Sequence, residues 1–376
     1  MRIAFDGRVL ERSMTGIGRY LINILEEIPF YDQQNEYFIF TNKPQNHIRN
    51  NFYHYATLNK PFINSKIFTP VWLNLILPSQ LIEKKIDLLI GPNILVPTKE
   101  IKNLKKISIV HDIMPLTHPE FFPFSYKNFL RLYLPSSIQA SDLIITISNT
   151  SKKYICDYFG VDEAKVKVVY NTVSDRFRKL DLAELEFLEK KSSLMLPPKF
   201  LLYVGVLEKR KNIKAILEIA KRIDLIDKEL KIVLAGKQGF GFEVFEKELF
   251  ELIDKVIWLK QVNDEELLLL YNKAFIFLFP SFVEGFGLPP IEAMACGTPV
   301  IASNCDALRE ILNSSAFLHN PNDVDGMIGS IIKLNSEKDF YNEMCEKSIQ
   351  HSKIYSKENM IKSFFKVINT IKKKIY

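Results

Sequence analysis

The sequence predicts an α/β protein made of two doubly wound domains, each built on a parallel sheet. Strand-like apolar runs alternate with helical patterns along almost all 376 residues, which is typical of consecutive βαβ units. A chain of this length suits two domains of ordinary size. A charged stretch near the middle separates two similar series of strands. We expect the two sheets to face each other across a cleft, at the strand ends where such sheets bind ligands.

The first half opens with the strand RIAFDG, which a glycine turn and the amphipathic helix of TGIGRYLINILEEI follow. Further strands are predicted in EYFIFTN, DLLIGP, KISIVHD, DLIITIS and VKVVYNTV. His111 ends one of these runs, so it is expected at the C-terminal end of a strand. Gly16 and Gly18 lack the third glycine of a dinucleotide-binding fingerprint, which argues against a nucleotide-dependent oxidoreductase or epimerase.

The connection between the domains is predicted from Ser174 to Lys199, a charged helical stretch that ends in two prolines. The second strand series then comprises FLLYVGV, KIVLAG, VIWLKQV, AFIFLFP and TPVIAS. Helical patterns lie between these strands in NIKAILEIAKRI and DEELLLLYNKA, and two more end the chain. We therefore place the N-terminal domain at about residues 1–175 and the C-terminal domain at about 176–355.

The most informative segment is PSFVEGFGLPPIEAMACGTPVIASN, residues 280–304. A strand leads into it, a glycine turn follows, and a helix begins at two prolines, which fit the first helical turn. The free N–H groups and the dipole of such a helix favour an anion. Glu284 and Glu292 lie beside this site, so the pattern indicates a ligand with both phosphates and hydroxyls.

Composition limits the protein class. Lys+Arg 50 against Asp+Glu 44 gives a net charge of +6, a mild excess that permits phosphate ligands or an anionic membrane surface, and we expect no nucleic-acid partner. The four scattered cysteines predict reduced thiols and a cytoplasmic protein. No metal site is expected, because the only Asp-x-Asp, at Asp323, is interpreted as a helix cap. No apolar run predicts a transmembrane helix.

The 280–304 segment resembles the Glu-x7-Glu signature of retaining, nucleotide-sugar-dependent glycosyltransferases with the GT-B fold, in family GT4. The motifs TGIGRY, HDIMPLTHPE, ISNTSKKYICDYFG, YNTVSD, LLYVGVLEKRKN and VLAGKQG extend this resemblance in the expected order over nearly the whole chain. Details in LEKRKN and GKQGF are most similar to the mannosyltransferase-like branch that builds bacterial surface polysaccharides. The resemblance implies two Rossmann-like domains, with the acceptor on the first and the donor on the second. It also implies that the last helix, about 356–376, returns to the first domain.

The resemblance implies a role for each candidate residue. Glu284 and His111 would contact the donor sugar, and Glu292 would bind the ribose hydroxyls. The diphosphate would be held by Lys211 and Arg210, although many relatives carry an arginine where Val206 stands here. Its remaining contacts would come from the glycine turns and their neighbours: Gly287, Leu288, Gly205, Gly16 and Gly18.

The implied reaction is hexosyl transfer from a nucleoside diphosphate sugar to a hydroxyl with retention, and no cofactor or metal is expected. The first choice of donor is GDP-mannose, with UDP-hexoses and dTDP-rhamnose as alternatives. The acceptor would be an O-antigen or capsule oligosaccharide on a lipid carrier, reached at the cytoplasmic face of the membrane. The basic and aromatic segment 121–135 fits a membrane surface and a core-packed helix about equally. A non-catalytic nucleotide-sugar-binding partner is a second class of function, and a phosphorylase of the same fold is a third.

Overall fold

A computed structural model of the chain describes residues 1–11, 16–42, 48, 51–58 and 68–375. The chain forms two compact units. The first comprises Met1–Pro119, Pro123–Thr172 and Lys357–Tyr376, and the second comprises Glu120–Phe122 and Val173–Ser356. Thr15 of the predicted glycine turn lies outside the described residues, and so does Tyr376 at the end of the last helix.

The first unit contains a seven-stranded sheet in which every pairing is parallel. Its strands are β1 Arg2–Asp6, β2 Glu36–Phe40, β3 Tyr53–Ala56, β4 Leu88–Gly91, β5 Lys105–Ile109, β6 Leu143–Thr146 and β7 Val166–Val168. Its helices along this part of the chain are α1 Gly16–Tyr31, α2 Phe68–Val71, α3 Leu77–Glu83, α4 Met114–Thr117, α5 Phe124–Ala140 and α6 Asn149–Phe159. The strand order is β3-β2-β1-β4-β5-β6-β7.

The second unit contains a six-stranded parallel sheet. Its strands are β8 Lys199–Val204, β9 Leu230–Ala235, β10 Val256–Leu259, β11 Ile276–Phe279, β12 Val300–Ser303 and β13 Phe317–His319. Its helices are α7 Leu182–Lys191, α8 Ile213–Arg222, α9 Glu246–Glu251, α10 Asp264–Lys273, α11 Leu288–Ala295, α12 Asp306–Leu312, α13 Val324–Ser336 and α14 Lys338–Ser352. The strand order, β10-β9-β8-β11-β12-β13, repeats the order of the first unit.

The prediction of two Rossmann-like α/β units with parallel sheets is confirmed. Central strands such as β1, β8 and β11 are buried almost throughout, which explains why they are continuous apolar runs rather than alternating patterns. The sequence prediction omitted the edge strands β3 and β13 and the helix α14. β3 has the mixed sequence YHYA and β13 has only three half-buried residues, so neither carries the apolar signal of a central strand.

Strand order determines where side chains can converge. In each sheet the order reverses beside the first strand, between β1 and β4 in one unit and between β8 and β11 in the other. Loops after two such neighbouring strands leave the sheet in opposite directions and open a crevice between them. In the second unit, the loops after β8 and β11 carry most of the candidate residues.

The last helix, α15 Lys357–Ile375, belongs to the first unit. Phe364 on α15 is fully buried and stacks on Phe5 of β1, with 6.5 Å between ring centroids. Lys357 at its start forms an ion pair with Glu26 of α1 at 2.9 Å. None of the helices described here is both long and apolar enough to cross a membrane.

Candidate active site

The turn from β11 to α11 has a shape that requires glycine at one position. Gly287 caps the N-terminus of α11 with φ of 92°, a left-handed conformation that favours glycine. A Cβ atom there would also lie 2.4 Å from Leu308 Cδ2. Leu288 begins the helix and two prolines follow, as the sequence predicts. The turn therefore holds the start of α11, with its helix dipole, beside the crevice between β8 and β11.

Glu284, in the same turn, forms ion pairs with two cations from the loop after β8. Lys211 Nζ donates to Glu284 Oε1 at 2.5 Å, and Arg210 Nη1 lies 3.0 Å from Glu284 Oε2. Glu284 and Lys211 are only 7% and 8% exposed. Glu284 is thus in direct contact with two other predicted site residues, which precede it by 74 and 73 positions in the sequence.

The ion pairs determine the charge states of this cluster. Burial alone would raise the pKa of the Glu284 carboxyl, but Arg210 and Lys211 outweigh it and hold this pKa at about 2. Burial lowers the pKa of Lys211, and the neighbouring Glu284 carboxylate opposes that change. Glu284 is therefore ionised at neutral pH, and its charge helps to keep the buried ammonium group protonated.

Arg210 is held by more than Glu284. Its Nε and Nη2 donate to Glu208 Oε1 at 3.0 and 2.6 Å, and its Nη1 donates to the carbonyl of Val283 at 2.9 Å. The Arg210 carbonyl in turn accepts from the Phe282 amide at 2.9 Å. Val206, where the family resemblance implies an arginine, is 45% exposed. Arg210 thus supplies a fixed guanidinium close to Lys211, and Glu208 is a site residue that the sequence analysis does not identify.

Glu292 lies on α11 and is 5% exposed. The hydroxyl of Tyr271, on α10, donates to Glu292 Oε2 at 2.8 Å. Tyr271 was not among the predicted residues, because it follows four leucines in a helical pattern that indicates only core packing. Both Glu292 and Glu284 are on the segment singled out from sequence, but the structure gives them different partners.

Gly205 follows β8, and close packing explains why it is glycine. Its φ is 151°, and a Cβ atom there would lie 2.8 Å from the Tyr203 hydroxyl. At the end of the neighbouring strand, a Cβ atom on Gly236 would lie 1.9 Å from the Gly205 carbonyl oxygen. The two backbones can approach this closely only because Gly236 has no side chain.

In the first unit, His111 follows β5 and is 8% exposed. Burial lowers its pKa to about 4, so the imidazole is neutral at pH 7. Its Nε2 is buried and has no hydrogen-bond partner among the described residues. The Tyr20 ring packs edge-on against it at 5.0 Å, and the Tyr20 hydroxyl donates to the Val169 carbonyl at 3.1 Å.

The two predicted glycines of the first unit lie at the start of the helix that carries Tyr20. Gly16 begins α1, and Gly18 is buried in its first turn. Apart from the chain neighbours of Gly16 and the backbone of its own helix, no atom of the described residues lies within 4 Å of a Cβ built on it. His111, Gly16 and Gly18 therefore belong to one unit, and the cluster of Arg210, Lys211 and Glu284 belongs to the other.

Two further features of the described residues bear on the site. No three His, Cys, Asp or Glu side chains in this part of the chain are arranged to hold a metal ion. A cavity of about 330 Å³ is lined by residues that include Asn272, Cys296, Thr298 and Cys345. Because Thr298 precedes β12 and Cys296 ends α11, this cavity lies at the opposite edge of the sheet from the β11–α11 turn.

Comparisons with known families and proteins show what the chain is similar to. Residues 186–351 match the family "Glycosyl transferases group 1", and residues 14–177 match "Glycosyltransferase Family 4". O-antigen chain mannosyltransferase B of Escherichia coli is 29% identical over 276 residues, which cover 72% of this chain and 70% of that protein. O-antigen chain mannosyltransferase RfbU of Salmonella typhimurium is 34% identical over 215 residues, but this match covers only 57% of this chain and 56% of that protein.

A solved structure supports the fold. HepE of Anabaena, in a complex with UDP-glucose, superposes with a TM-score of 0.71. The match covers 98% of this chain and 100% of that one, at 18% sequence identity. At such low identity the likeness concerns the fold.

The neutral state of His111 predicts a pH dependence of stability. Between pH 6.5 and pH 4 the unfolded chain holds a proton on this histidine and the folded chain does not, so stability is lost as the pH falls through this range. His111→Gln should remove about 2–3 kcal/mol of that loss. Urea unfolding of both proteins at pH 6.5 and pH 4.5 measures it, and an equal loss in the two proteins would contradict a neutral His111.

Proposed function

Since the chain belongs to the group 1, family 4 glycosyltransferases, we propose that it transfers a mannosyl group from GDP-mannose to a hydroxyl, with retention at the anomeric carbon. The acceptor we propose is a surface-polysaccharide or lipid-linked oligosaccharide. The observation that carries this proposal is the buried contact of Glu284 with Arg210 and Lys211, beside the start of α11. It combines cations for a diphosphate with a carboxylate for sugar hydroxyls.

The charges that develop in the reaction explain the role of the cations. Cleavage of the bond between sugar and phosphate leaves negative charge on the diphosphate and positive charge on the sugar ring. Lys211 and Arg210 stabilise the first charge, together with the N-terminus of α11 at Gly287 and Leu288. These groups are fixed before the reaction by the contacts described above, so little reorganisation is needed as the charge appears. Because two fixed cations supply this stabilisation, we propose that the reaction needs no metal ion.

Glu284 orients the sugar rather than acting as a base. A carboxylate with a pKa of about 2 has little tendency to take a proton at neutral pH. Its oxygens are already committed to Lys211 and Arg210, which also weakens it as a nucleophile. We therefore propose attack on the same face from which the diphosphate leaves, with the departing phosphate taking the acceptor proton. His111, neutral at pH 7, positions the sugar by hydrogen bonding.

The donor is inferred from relatives and from the chemistry of Glu292. The relatives named above are mannosyltransferases, which favours GDP-mannose. HepE binds UDP-glucose, so a UDP-hexose is the principal alternative. A carboxylate can accept hydrogen bonds from both the 2′ and the 3′ hydroxyl of a ribose. A dTDP sugar has only the 3′ hydroxyl, which makes dTDP-rhamnose the weaker alternative.

We propose that a membrane is contacted by helix α5 rather than by the whole segment 121–135. Glu120–Phe122 belong to the second unit, whereas α5 begins at Phe124 in the first. On α5, Phe124 and Leu132 are 73% and 67% exposed, and Arg131 is exposed on the same face. An exposed apolar pair beside a cation suits the surface of an anionic membrane, where a lipid-linked acceptor would be found.

The donor proposal predicts one outcome in a panel of GDP-mannose, UDP-glucose, UDP-galactose and dTDP-rhamnose. GDP-mannose should raise the melting temperature most, because a ligand that binds only the folded state stabilises it. The same donor should release nucleoside diphosphate when a lipid-linked oligosaccharide is added, with or without EDTA. Binding without turnover on any acceptor would favour the non-catalytic partner, and complete loss of turnover in EDTA would contradict the metal-free mechanism.

The role of Glu284 predicts a separation of turnover from nucleotide affinity. Glu284→Gln should lower kcat at least about tenfold, or about 1.4 kcal/mol. It should not weaken the binding of free GDP, because the carboxylate competes with the diphosphate for Arg210 and Lys211. Glu292→Gln should do the reverse and weaken GDP binding. Isothermal titration and initial rates measure both effects, and an unchanged kcat in Glu284→Gln would remove this residue from the site.

The α5 surface predicts binding to anionic vesicles. The wild-type protein should sediment with vesicles that contain about 30% phosphatidylglycerol, an anionic lipid. Phe124→Ser with Leu132→Ser should reduce the bound fraction severalfold. The control is Leu225→Ser, which removes an 84% exposed leucine from the second unit. Equal losses in both variants would argue against a specific membrane surface on α5.

A further inference from the structure

Tyr271 places a hydroxyl group in the core of the second unit. The residue is fully buried on α10, between Phe177 and Phe277, whose ring centroids lie 5.4 and 5.7 Å from its own. A buried hydroxyl costs free energy unless it has a partner, and the partner here is Glu292 Oε2 at 2.8 Å. Phenylalanine would fill the same space without that requirement.

The main chain of Tyr271 is fixed as well. Its carbonyl accepts a hydrogen bond from the buried Thr298 hydroxyl, at 2.5 Å. Thr298 follows α11, the helix that carries Glu292, so α10 and α11 are joined at two points around one side chain. The two aromatic contacts and these hydrogen bonds restrict the orientation of the Tyr271 ring and its hydroxyl.

We propose that Tyr271 is a positioning residue, which holds the Glu292 carboxylate in the orientation that binds the ribose of the nucleotide. The bond occupies Oε2 and fixes the plane of the carboxylate, because a hydrogen bond to one oxygen restricts rotation about the last side-chain torsion of Glu292. Selectivity for a ribonucleotide then depends on a residue that touches no ligand. This inference rests on the proposed function, because it assigns the ribose to Glu292.

The test compares two probes that differ only at the ribose, GDP and 2′,3′-dideoxyguanosine diphosphate. Tyr271→Phe should weaken GDP binding about five- to tenfold, or about 1–1.4 kcal/mol. Binding of the dideoxy probe should stay within about twofold of wild type, because that probe offers Glu292 no hydroxyl. The KM for the donor should rise while kcat changes little, as expected for loss of an interaction made equally in the ground state and the transition state.

The matched control is Tyr341→Phe. Tyr341 is a partly buried tyrosine of the same unit whose hydroxyl donates to the Phe275 carbonyl at 3.0 Å, so the change removes a hydrogen bond without touching Glu292. It should leave the ratio of the two affinities unchanged. In a Glu292→Gln background, Tyr271→Phe should have no further effect on GDP binding. If Tyr271→Phe does not fold, Phe177→Leu takes its place in the test. This change removes one of the aromatic rings that contact Tyr271, so its hydroxyl is held less firmly and the same outcomes are expected.

The outcomes separate this inference from the proposed function. If wild-type protein prefers GDP to the dideoxy probe and Tyr271→Phe keeps that preference, the positioning role is wrong and the function stands. An equal weakening of both probes would also overturn the positioning role, because it would indicate a general loss of structure. If neither GDP nor UDP binds the wild-type protein, the proposed function fails and this inference fails with it.

Discussion

The structure of the second unit depends on one buried carboxylate, that of Glu284, which pairs with two cations, the buried Lys211 and the half-buried Arg210. Taking charges out of water costs several kcal/mol each, and only close pairing with good geometry offsets that cost. Arg210 and Lys211 come from the loop after β8, and Glu284 comes from the turn after β11. The ion pairs therefore join the two loops on either side of the point where the strand order reverses. The two loops that line the crevice are therefore held together by side-chain ion pairs. Without these contacts, only backbone hydrogen bonds would hold them.

Most of the fold could be predicted from patterns that are visible in the sequence. Strands buried on both faces are mostly apolar, so β1, β8 and β11 are visible as apolar runs. Edge strands have no such requirement, and β3 and β13 are correspondingly invisible. The turn that carries Glu284 and the helix that carries Glu292 were predictable for a related reason, because a glycine and two prolines mark the start of a helix at that point. The assignment of the sugar, the ribose and the diphosphate to these residues stays a prediction.

Contacts between distant parts of the chain could not be predicted in the same way. Even the contact between Glu208 and Arg210, which are only two residues apart, could not be predicted, because nothing in the run of charges shows which neighbour Glu208 binds at 2.6 Å. Tyr271 is hidden by the leucines before it, since a helical pattern of apolar residues indicates burial but not the direction of a hydroxyl. His111 was found by its place at a strand end, but its neutral state depends on burial beneath Tyr20 and other residues far away in sequence.

The pairing of Glu208, Arg210, Lys211 and Glu284 has a consequence for the resting protein. Two carboxylates facing two cations leave the cluster with no net charge, although each group is individually charged. A crevice lined by cations alone would attract any small anion in solution, because the local potential rises with uncompensated charge. Here the two carboxylates already balance the positive charge that inorganic phosphate would meet. Under the proposed function, discrimination in favour of a whole sugar nucleotide then depends on contacts that free phosphate cannot make.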